Sequence, residues 1–470
     1  MRHRWIAILV LLGVLLAGAA AQASGMAGHG GAAGELPMLV AKPLATLVVG
    51  ALFLGTLAIS RFSLSIGVPA ILGVLLLGLS INSSATLFST EAFAWLHTLS
   101  LAMLLFYAGL RTELRSIRGF LEYGVLLAVG GVVLSTLLLG LLVWFVASPS
   151  AGGIELGFRQ IPLAVALLIA ACLGSTDAGA TISVLDTLPQ RIPARLQALL
   201  EFESSLNDPV AIVFLAVVVG LFAGEVEGAG SHRLLLVEMR HFLQLMGSGL
   251  LVGMAIGYLA RFCLEKLVER HEELLILGVG IALLTYGSAE LLAGSGLIAA
   301  YATGVLMSNH RYRNSRVSPQ SLVRTLLPFN AMTEIIVFLI FGLAMDSRHM
   351  LASLPEGTVI ALGLMLVARP LSVLAFQRVS PFRLRETLLV AWCGLRGAVP
   401  LALSFSAIAV IPMLQGVDPA LVPALQHNAQ VIVFCVVVLN LLLQGLSLPW
   451  VCRILAIRDD EASTQPTGAS

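Results

Sequence analysis

Charged residues are scarce in this sequence, and their scarcity excludes an ordinary soluble domain. Only 11% of the 470 residues are Asp, Glu, Lys or Arg, whereas 58% are hydrophobic. A soluble globular domain carries about 25% charged residues. Long apolar runs instead recur along the chain, which is typical of an all-α polytopic membrane protein embedded in a lipid bilayer. The formal net charge of +1 gives no reason to expect a nucleic-acid partner.

Cysteine is also scarce, and its placement excludes two further classes of site. The five cysteines all lie in apolar runs and show no C-x-x-C spacing. This pattern argues against a disulfide framework and against a zinc site built on thiolates. Lone cysteines in membrane segments usually act as small packing residues. We therefore expect neither a structural metal nor a cofactor.

The first 23 residues resemble a secretory signal peptide. They begin with Arg2 and Arg4, continue through an apolar core and reach the small-x-small triplet Ala21-Gln22-Ala23. A basic start, a short apolar run and small residues at the end are the features of a cleaved signal. The alternative is one extra transmembrane helix that is not cleaved.

Thirteen hydrophobic segments follow a Gly/Ala-rich linker at 24–37, and they define a membrane domain over 38–453. About 20 apolar residues span a bilayer core, so each segment is a candidate transmembrane helix. A short polar tail at 454–470 ends the chain. The segments are 38–60, 66–82, 92–110, 120–147, 161–188, 199–223, 241–264, 273–292, 294–309, 325–345, 355–378, 387–412 and 427–452.

Lysine and arginine fall mainly on one side of these segments. If the mature N-terminus lies outside the cell, eighteen of them fall in inside loops and five at outside positions. Positively charged loops tend to stay in the cytoplasm. The sequence therefore predicts an outside N-terminus and a cytoplasmic C-terminus.

Two of the thirteen segments contain residues that interrupt a helix. Segment five contains LGSTDAGATIS at 173–183, and segment twelve contains WCGLRGAVPLALSF at 392–405. Backbone groups freed inside a membrane must be satisfied within the protein. When segments one to six are set against eight to thirteen, each interrupted segment is the fifth of its six. Such matched interruptions predict inverted repeats with two discontinuous helices around a transporter's substrate site.

Segment six opens with the polar stretch EFESSLNDP at 201–209. Ser204 and Asp208 are four residues apart, so their oxygens can face one point on a helix. Asp208 and Asp177 supply negative charge, while Ser204 and a backbone carbonyl near Thr176 supply neutral oxygens. Oxygen ligands of this kind suit hard cations. A carboxylate that binds either a proton or a small cation, but not both, is the minimum machinery for exchange.

Helix caps remain an alternative for two of these groups. Asn and Asp are common N-caps, although Asn207 and Asp208 lie several residues inside their segment. Thr176-Asp177 could cap a second short helix, and that role is compatible with a binding function.

Two arginines lie in the middle of apolar segments. A charge at the bilayer centre costs at least about 2.5–3.5 kcal/mol, so it normally has a partner. We expect Arg369 to form a buried structural ion pair with Glu203, and Arg396 to compensate the carbonyl ends of the interrupted helices. The alternatives are that Arg369 snorkels to the interface and that the LRGAVP stretch only packs closely.

Six motifs spread over about 42–453 resemble, in order and spacing, the monovalent cation:proton antiporters of the sodium/hydrogen exchanger type. They are similar in particular to bacterial NhaP-like potassium/proton antiporters. The resemblance implies a homodimer in the bacterial inner membrane, with a mobile core domain and a dimerisation domain. The motifs are GSTDAGA, ESSLNDPVAI, GSGLIAAYATGVLMSN, ARPLSV, WCGLRGAVPLAL and LLLQGLSLPW.

The resemblance also implies roles for individual residues. It maps the essential carboxylate onto Asp208, with Ser204, Asp177 and the Thr176 carbonyl nearby. It places Asn207 at the crossing of the interrupted helices. Relatives with Asn-Asp in place of Asp-Asp look electroneutral, so an exchange of one cation for one proton is implied.

Three further residues bear on which cation is carried. Tyr107 stands in FYAGLRTE where many relatives carry an acid, so the choice between K⁺ and Na⁺ stays open. Glu290 and Glu334 are membrane acids that we interpret first as packing or core-domain residues and second as site residues.

The sequence thus predicts a secondary antiporter, not an enzyme, and it leaves three rivals. A passive monovalent cation channel would use the same ligands without proton dependence. An intramembrane hydrolase would use two aspartates as acid and base, but no G-x-G-D or Ser–His pattern supports it. A symporter for an organic substrate would need an aromatic or basic pocket, which segments five and six do not offer.

Overall fold

The computed structural model describes residues 50–51, 53–59, 69–81, 90–112, 119–147, 161–185, 192–222, 231–310, 312, 319–345, 347–455 and 457. Within these ranges the regular secondary structure is helical and contains no β-strand. The predicted signal peptide, the predicted linker and most of the predicted tail lie outside the described residues. The first predicted segment is described only at 50–51 and 53–59, where it is helical.

Fourteen further helices are numbered here in chain order. Two of them, α3 and α11, contain one π-helical turn each, at Leu127–Gly131 and Leu364–Ala368. The bounds are α1 Ala70–Ile81, α2 Thr90–Arg111, α3 Leu121–Val146, α4 Leu163–Cys172, α5 Ala178–Leu185, α6 Ala194–Phe222, α7 Ser231–Lys266, α8 His271–Leu291, α9 Gly296–Ser308, α10 Pro319–Ala344, α11 Ser347–Gly363 continuing through the π turn to Arg369–Leu374, α12 Leu384–Trp392, α13 Ala398–Val410 and α14 Val422–Ile454.

Seven of the described helices are long and apolar enough to cross a membrane, namely α3, α6, α7, α8, α10, α11 and α14. Shorter apolar helices accompany them, including α1, α4, α9 and α13. The expectation of an all-α polytopic membrane protein is therefore confirmed. The count of thirteen spans stays a prediction.

The helices pack into two bundles. The first bundle consists of α1, α2 and α7–α10, and the second consists of α3–α6 and α11–α14. Close contacts are dense within each bundle and sparse between them. One of the contacts between the bundles is the stacking of Phe341 in α10 on Phe405 in α13, with ring centroids 5.2 Å apart. The second bundle contains both predicted interruptions.

Glycines allow the closest helix contacts in the first bundle. Gly109 in α2 and Gly304 in α9 face each other, and a Cβ on either would overlap the backbone of the other helix. Small residues permit such close approach in lipid, where dispersion contacts hold helices together. The GSGLIAAYATGVLMSN motif therefore owes part of its pattern to this packing.

We expect Gly304→Ala to lower the thermal stability of the protein. The added methyl group would collide with the Phe106 carbonyl oxygen, and overpacking of this kind typically costs about 1–3 kcal/mol. The measurement is the Tm of the detergent-purified protein. Gly280→Ala in α8 is the matched control, because its Cβ would meet no atom within 4 Å. Equal Tm values for the two variants would contradict the close-packing role.

Candidate functional site

Two stretches of the second bundle leave the helical conformation and contact each other. Residues 173–177 separate α4 from α5, and residues 393–397 separate α12 from α13. The backbone N–H of Asp177 donates to the carbonyl oxygen of Leu395 at 2.7 Å. The Thr181 hydroxyl of α5 donates to the carbonyl of Cys393 at 3.2 Å. Each break thus supplies partners for backbone groups that the other leaves free.

Arg396 lies at this contact and joins it to α14. Its Nη1 donates to the carbonyl oxygen of Ser175 at 2.7 Å, so its charge faces a backbone carbonyl of the first break. Its backbone N–H donates to Asn440 Oδ1 at 2.8 Å, and Asn440 Nδ2 donates to Gln444 Oε1 at 2.8 Å. Sequence reasoning missed these two amides. Their signal is a polar pair four residues apart in the otherwise apolar run VVVLNLLLQG.

Asp177 directly precedes α5 and contacts the second break. Its Oδ1 accepts a hydrogen bond from the Ala180 backbone N–H at 3.0 Å, which is the geometry of an N-cap. A Cβ at Gly397 would overlap the Asp177 carboxylate. Glycine is therefore required at 397 for the second break to pass this close to the acid.

Helix α6 fixes the first break through two neutral side chains. The Ser204 hydroxyl donates to the Thr176 carbonyl oxygen at 2.7 Å and accepts from the Ala178 backbone N–H at 2.9 Å. Asn207 Nδ2 donates to the Thr176 hydroxyl, and Asn207 Oδ1 accepts from the Thr176 backbone N–H at 3.3 Å. Ser204, Asn207 and Thr176 are thus brought together at one level of the bundle.

Asp208 lies one residue further along α6 and faces a cavity. Its Oδ1 is buried and makes no hydrogen bond to any described residue. The Ser175 hydroxyl lines the same cavity beside the Asp208 carboxylate, and its oxygen also makes no close hydrogen bond to those residues. Buried polar atoms in native proteins are nearly always paired, so unpaired oxygens here are available to a small ligand.

The cavity has a volume of about 130 Å³ and lies where the two bundles meet. The first bundle contributes Tyr107 from α2, together with Asn330 and Glu334 from α10. Asn330 was not expected from the sequence, and it has a buried oxygen without a partner among the described residues. The second bundle contributes Asp177, Ser204 and Asp208.

A salt bridge between Arg111 and Glu201 also lines this cavity. Each of the two side chains is 34% exposed. Arg111 is the last residue of α2, one residue beyond the end of the predicted segment 92–110. The helix end carries the guanidinium over the cavity, where it reaches α6.

A second ion pair lies deeper, between α6 and α11. Arg369 donates from Nη1 and Nη2 to the two carboxylate oxygens of Glu203, both at 2.8 Å. The two side chains are 2% and 1% exposed, so the pair is withdrawn from solvent. The π turn Leu364–Ala368 immediately precedes Arg369, and Gly394 packs against the arginine side chain.

Glu290 is the one candidate residue that lies away from this arrangement. Its Oε1 accepts a hydrogen bond from the Gly296 backbone N–H at 3.0 Å, between α8 and α9. It does not line the cavity.

The fold and the site together define a multi-pass helical membrane protein with an oxygen-lined cavity between two bundles. Among the described residues, no three His, Cys, Asp or Glu side chains group closely enough to hold a metal ion alone. A family profile described as "Sodium/hydrogen exchanger, transmembrane" matches residues 44–454. The chain belongs to the sodium/hydrogen exchanger family, as the motifs predicted. Because this is a family of transporters, the expectation that the chain is not an enzyme is also confirmed.

Individual relatives agree with this placement. The K⁺/H⁺ antiporter NhaP2 of Shewanella sp. (strain MR-4) is 32% identical over 418 residues, covering 87% of this chain and 67% of the relative. The K⁺/H⁺ antiporter NhaP of Alkalimonas amylolytica is 30% identical over 420 residues, covering 88% and 67%. The solved structure of the sodium proton antiporter MjNhaP1 from Methanocaldococcus jannaschii has a TM-score of 0.73 at 20% identity, covering 88% and 99%. The last likeness shows the shared fold.

We expect Arg369→Ala to reduce the yield of folded protein and its Tm. Removing one partner of a buried pair leaves the other charge unpaired, at a cost of about 3–5 kcal/mol. The measurement is monodisperse protein recovered by size-exclusion chromatography, followed by thermal unfolding. Arg378→Ala is the control, because Arg378 is exposed just beyond the same helix. Parental yield and Tm in Arg369→Ala would show that the ion pair has no structural role.

Proposed function

We propose that this chain exchanges a monovalent cation, K⁺ or Na⁺, for H⁺, and that Asp208 carries both in turn. The observation that carries the proposal is the unpaired, buried Asp208 Oδ1, which faces the cavity beside the two crossed breaks. Membership of the exchanger family supports antiport over a passive channel. So do relatives whose names state K⁺/H⁺ antiport.

The ligands would be oxygens of two kinds. Asp208 and Asp177 supply negative charge, and the Ser204 hydroxyl and the Thr176 carbonyl supply neutral oxygens. Such a set suits a hard cation. A proton on the Asp208 carboxylate removes the charge that would hold the cation. The two ions therefore compete for one group, and competition at one group couples their movements.

Alternating access would arise from movement of the second bundle against the first. The two crossed breaks, Arg396 and the Glu203–Arg369 pair all lie within the second bundle. The binding residues on α5 and α6 would thus move as one body. The sparse contacts between the bundles are consistent with such movement, since few interactions must be remade.

The assembly follows the family pattern. We propose inverted repeats in which 173–177 and 393–397 interrupt two discontinuous transmembrane helices. A homodimer in the bacterial inner membrane, with the N-terminus outside and the C-terminus in the cytoplasm, completes the proposal. The lysine and arginine distribution supports this orientation.

The expected outcome for Asp208→Asn is loss of exchange. Everted vesicles with an imposed pH gradient would be given Li⁺, Na⁺, K⁺ or Rb⁺ in turn, and collapse of the gradient would be followed with a fluorescent dye. The substitution removes the titratable group that both ions need, so no cation should dissipate the gradient. Activity in the parent protein also gives the order of selectivity.

Glu272→Gln is the matched control, because it removes an exposed carboxylate at the start of α8. It should exchange like the parent. The proposed function fails if neither K⁺ nor Na⁺ collapses the gradient in the parent. The assignment of Asp208 fails if Asp208→Asn keeps full activity.

Transport should be electroneutral, with one cation exchanged for one proton. Asn207 occupies the position where a second acid would add a charge, and its amide hydrogen-bonds to Thr176. The measurement is the exchange rate in proteoliposomes clamped at different membrane potentials. We expect a rate that does not depend on potential. A rate that rises with potential of one sign would show net charge movement.

A further inference from the structure

The Arg111–Glu201 salt bridge connects the two bundles across the cavity. Arg111 is the last residue of α2 in the first bundle, and Glu201 lies in α6 of the second. The other salt bridges described here stay within one bundle. Glu203 pairs with Arg369 in the second bundle, and Glu265 lies 3.6 Å from His310 in the first. The guanidinium of Arg111 therefore places a positive charge of the first bundle against α6, the helix that carries Asp208.

Acidic side chains outnumber basic ones among the described residues that line the cavity. Four carboxylates line it among the described residues, on Asp177, Glu201, Asp208 and Glu334. Arg111 is the only Lys or Arg among the described lining residues. Its charge interacts with Asp177 and Glu334 as well as with its salt-bridge partner. The guanidinium therefore lies among the same carboxylates that a transported cation would approach.

We propose that Arg111 acts as a built-in counter-cation that sets the affinity of the cavity for the transported ion, with Glu201 as its neutralising partner. This inference rests on the proposed cation/proton exchange. Arg111 is a specificity-determining residue in this role and does not ligate the ion. With the pair intact, the two charges largely cancel at the cavity. Loss of either charge leaves the other to attract or repel the incoming cation.

A purely structural link between the bundles would behave differently. Removing either side of such a link breaks the same contact, so both substitutions would change transport in the same direction. An electrostatic role predicts opposite directions, because one substitution makes the cavity more negative and the other makes it more positive. The sign of the change separates the two interpretations.

The test is a double-mutant cycle on the reconstituted full chain. The apparent KM for K⁺ and Na⁺ and the maximal rate would be measured at a fixed pH gradient. We expect Arg111→Gln to lower the KM about three- to tenfold and Glu201→Gln to raise it by a similar factor, as Coulomb interactions through a partly solvated cavity predict. The double variant should return to within about twofold of the parent, because its net charge is restored.

Three controls limit the interpretation. Arg111→Lys keeps the charge and should keep the parental KM. Arg324→Gln removes an exposed arginine from α10 that does not line the cavity, and it should change nothing. Added choline chloride should shrink both shifts, since salt screens charges in a partly exposed site.

The proposal is overturned if both single variants shift the KM in the same direction, or if the double variant shows no compensation. Should one single variant not be recovered folded, the other is compared with the double variant. A KM difference below about twofold then also overturns it. Asp208→Asn, measured in parallel, distinguishes the two proposals. Activity in Asp208→Asn would contradict the proposed site. If Asp208→Asn is inactive but the Arg111 and Glu201 variants keep the parental KM, only the role of Arg111 is contradicted.

Discussion

The hydrogen bond from the Asp177 backbone N–H to the Leu395 carbonyl joins two stretches that have left the helix inside an apolar bundle. Each stretch alone would expose backbone groups to an environment without water, at a cost of several kcal/mol per group. When the two stretches lie together, backbone groups of one are hydrogen-bonded by the other. The Arg396 guanidinium also donates a hydrogen bond to the Ser175 carbonyl oxygen. The candidate site exists because this crossing can be stable.

Among the described residues, the hydrogen bonds and the ion pair that support the crossing come from the second bundle. Ser204 and Asn207 hold Thr176 from α6, Asn440 holds Arg396 from α14, and the Glu203–Arg369 pair ties α6 to α11. All of these elements belong to the second bundle. The first bundle meets the site across a cavity and through few direct contacts. The candidate binding groups are therefore held to one another by hydrogen bonds within the second bundle, while the cavity wall opposite them belongs to the first.

The charged residues of this arrangement differ in whether they have a partner within the protein. Glu203 and Arg369 are fully buried and bidentate, so neither is available to an ion. Asp208 keeps an unpaired oxygen in the cavity, and Arg111 and Glu201 neutralise each other where solvent still reaches them. The two ion pairs are thus satisfied within the protein, whereas the Asp208 carboxylate keeps an oxygen without a partner among the described residues. A membrane protein tolerates such an unsatisfied group where a ligand or a proton can compensate it.

Much of this arrangement could be predicted from the sequence. Apolar segments marked the helices, helical spacing put Ser204 and Asp208 on one face, and clusters of Gly, Pro and small polar residues marked both stretches that leave the helix. The cost of a lone membrane charge was enough to suggest that Arg369 needs Glu203, although 166 residues separate them. These inferences succeed for two reasons. Helical periodicity and composition are properties of a single segment, and the cost of an unpaired charge in a membrane requires a partner wherever the charge lies.

Contacts between segments were decided only by the tertiary structure. Several contacts depend on how the helices cross. They are the approach of Gly397 to Asp177, the Asn440 contact to Arg396, the burial of Asn330 Oδ1 and the Arg111–Glu201 salt bridge. Helix crossings are set by the packing of many small side chains at once, and no single spacing in the chain encodes them. The sequence therefore determined which groups a membrane would have to accommodate, and the packing decided which of them meet at the cavity.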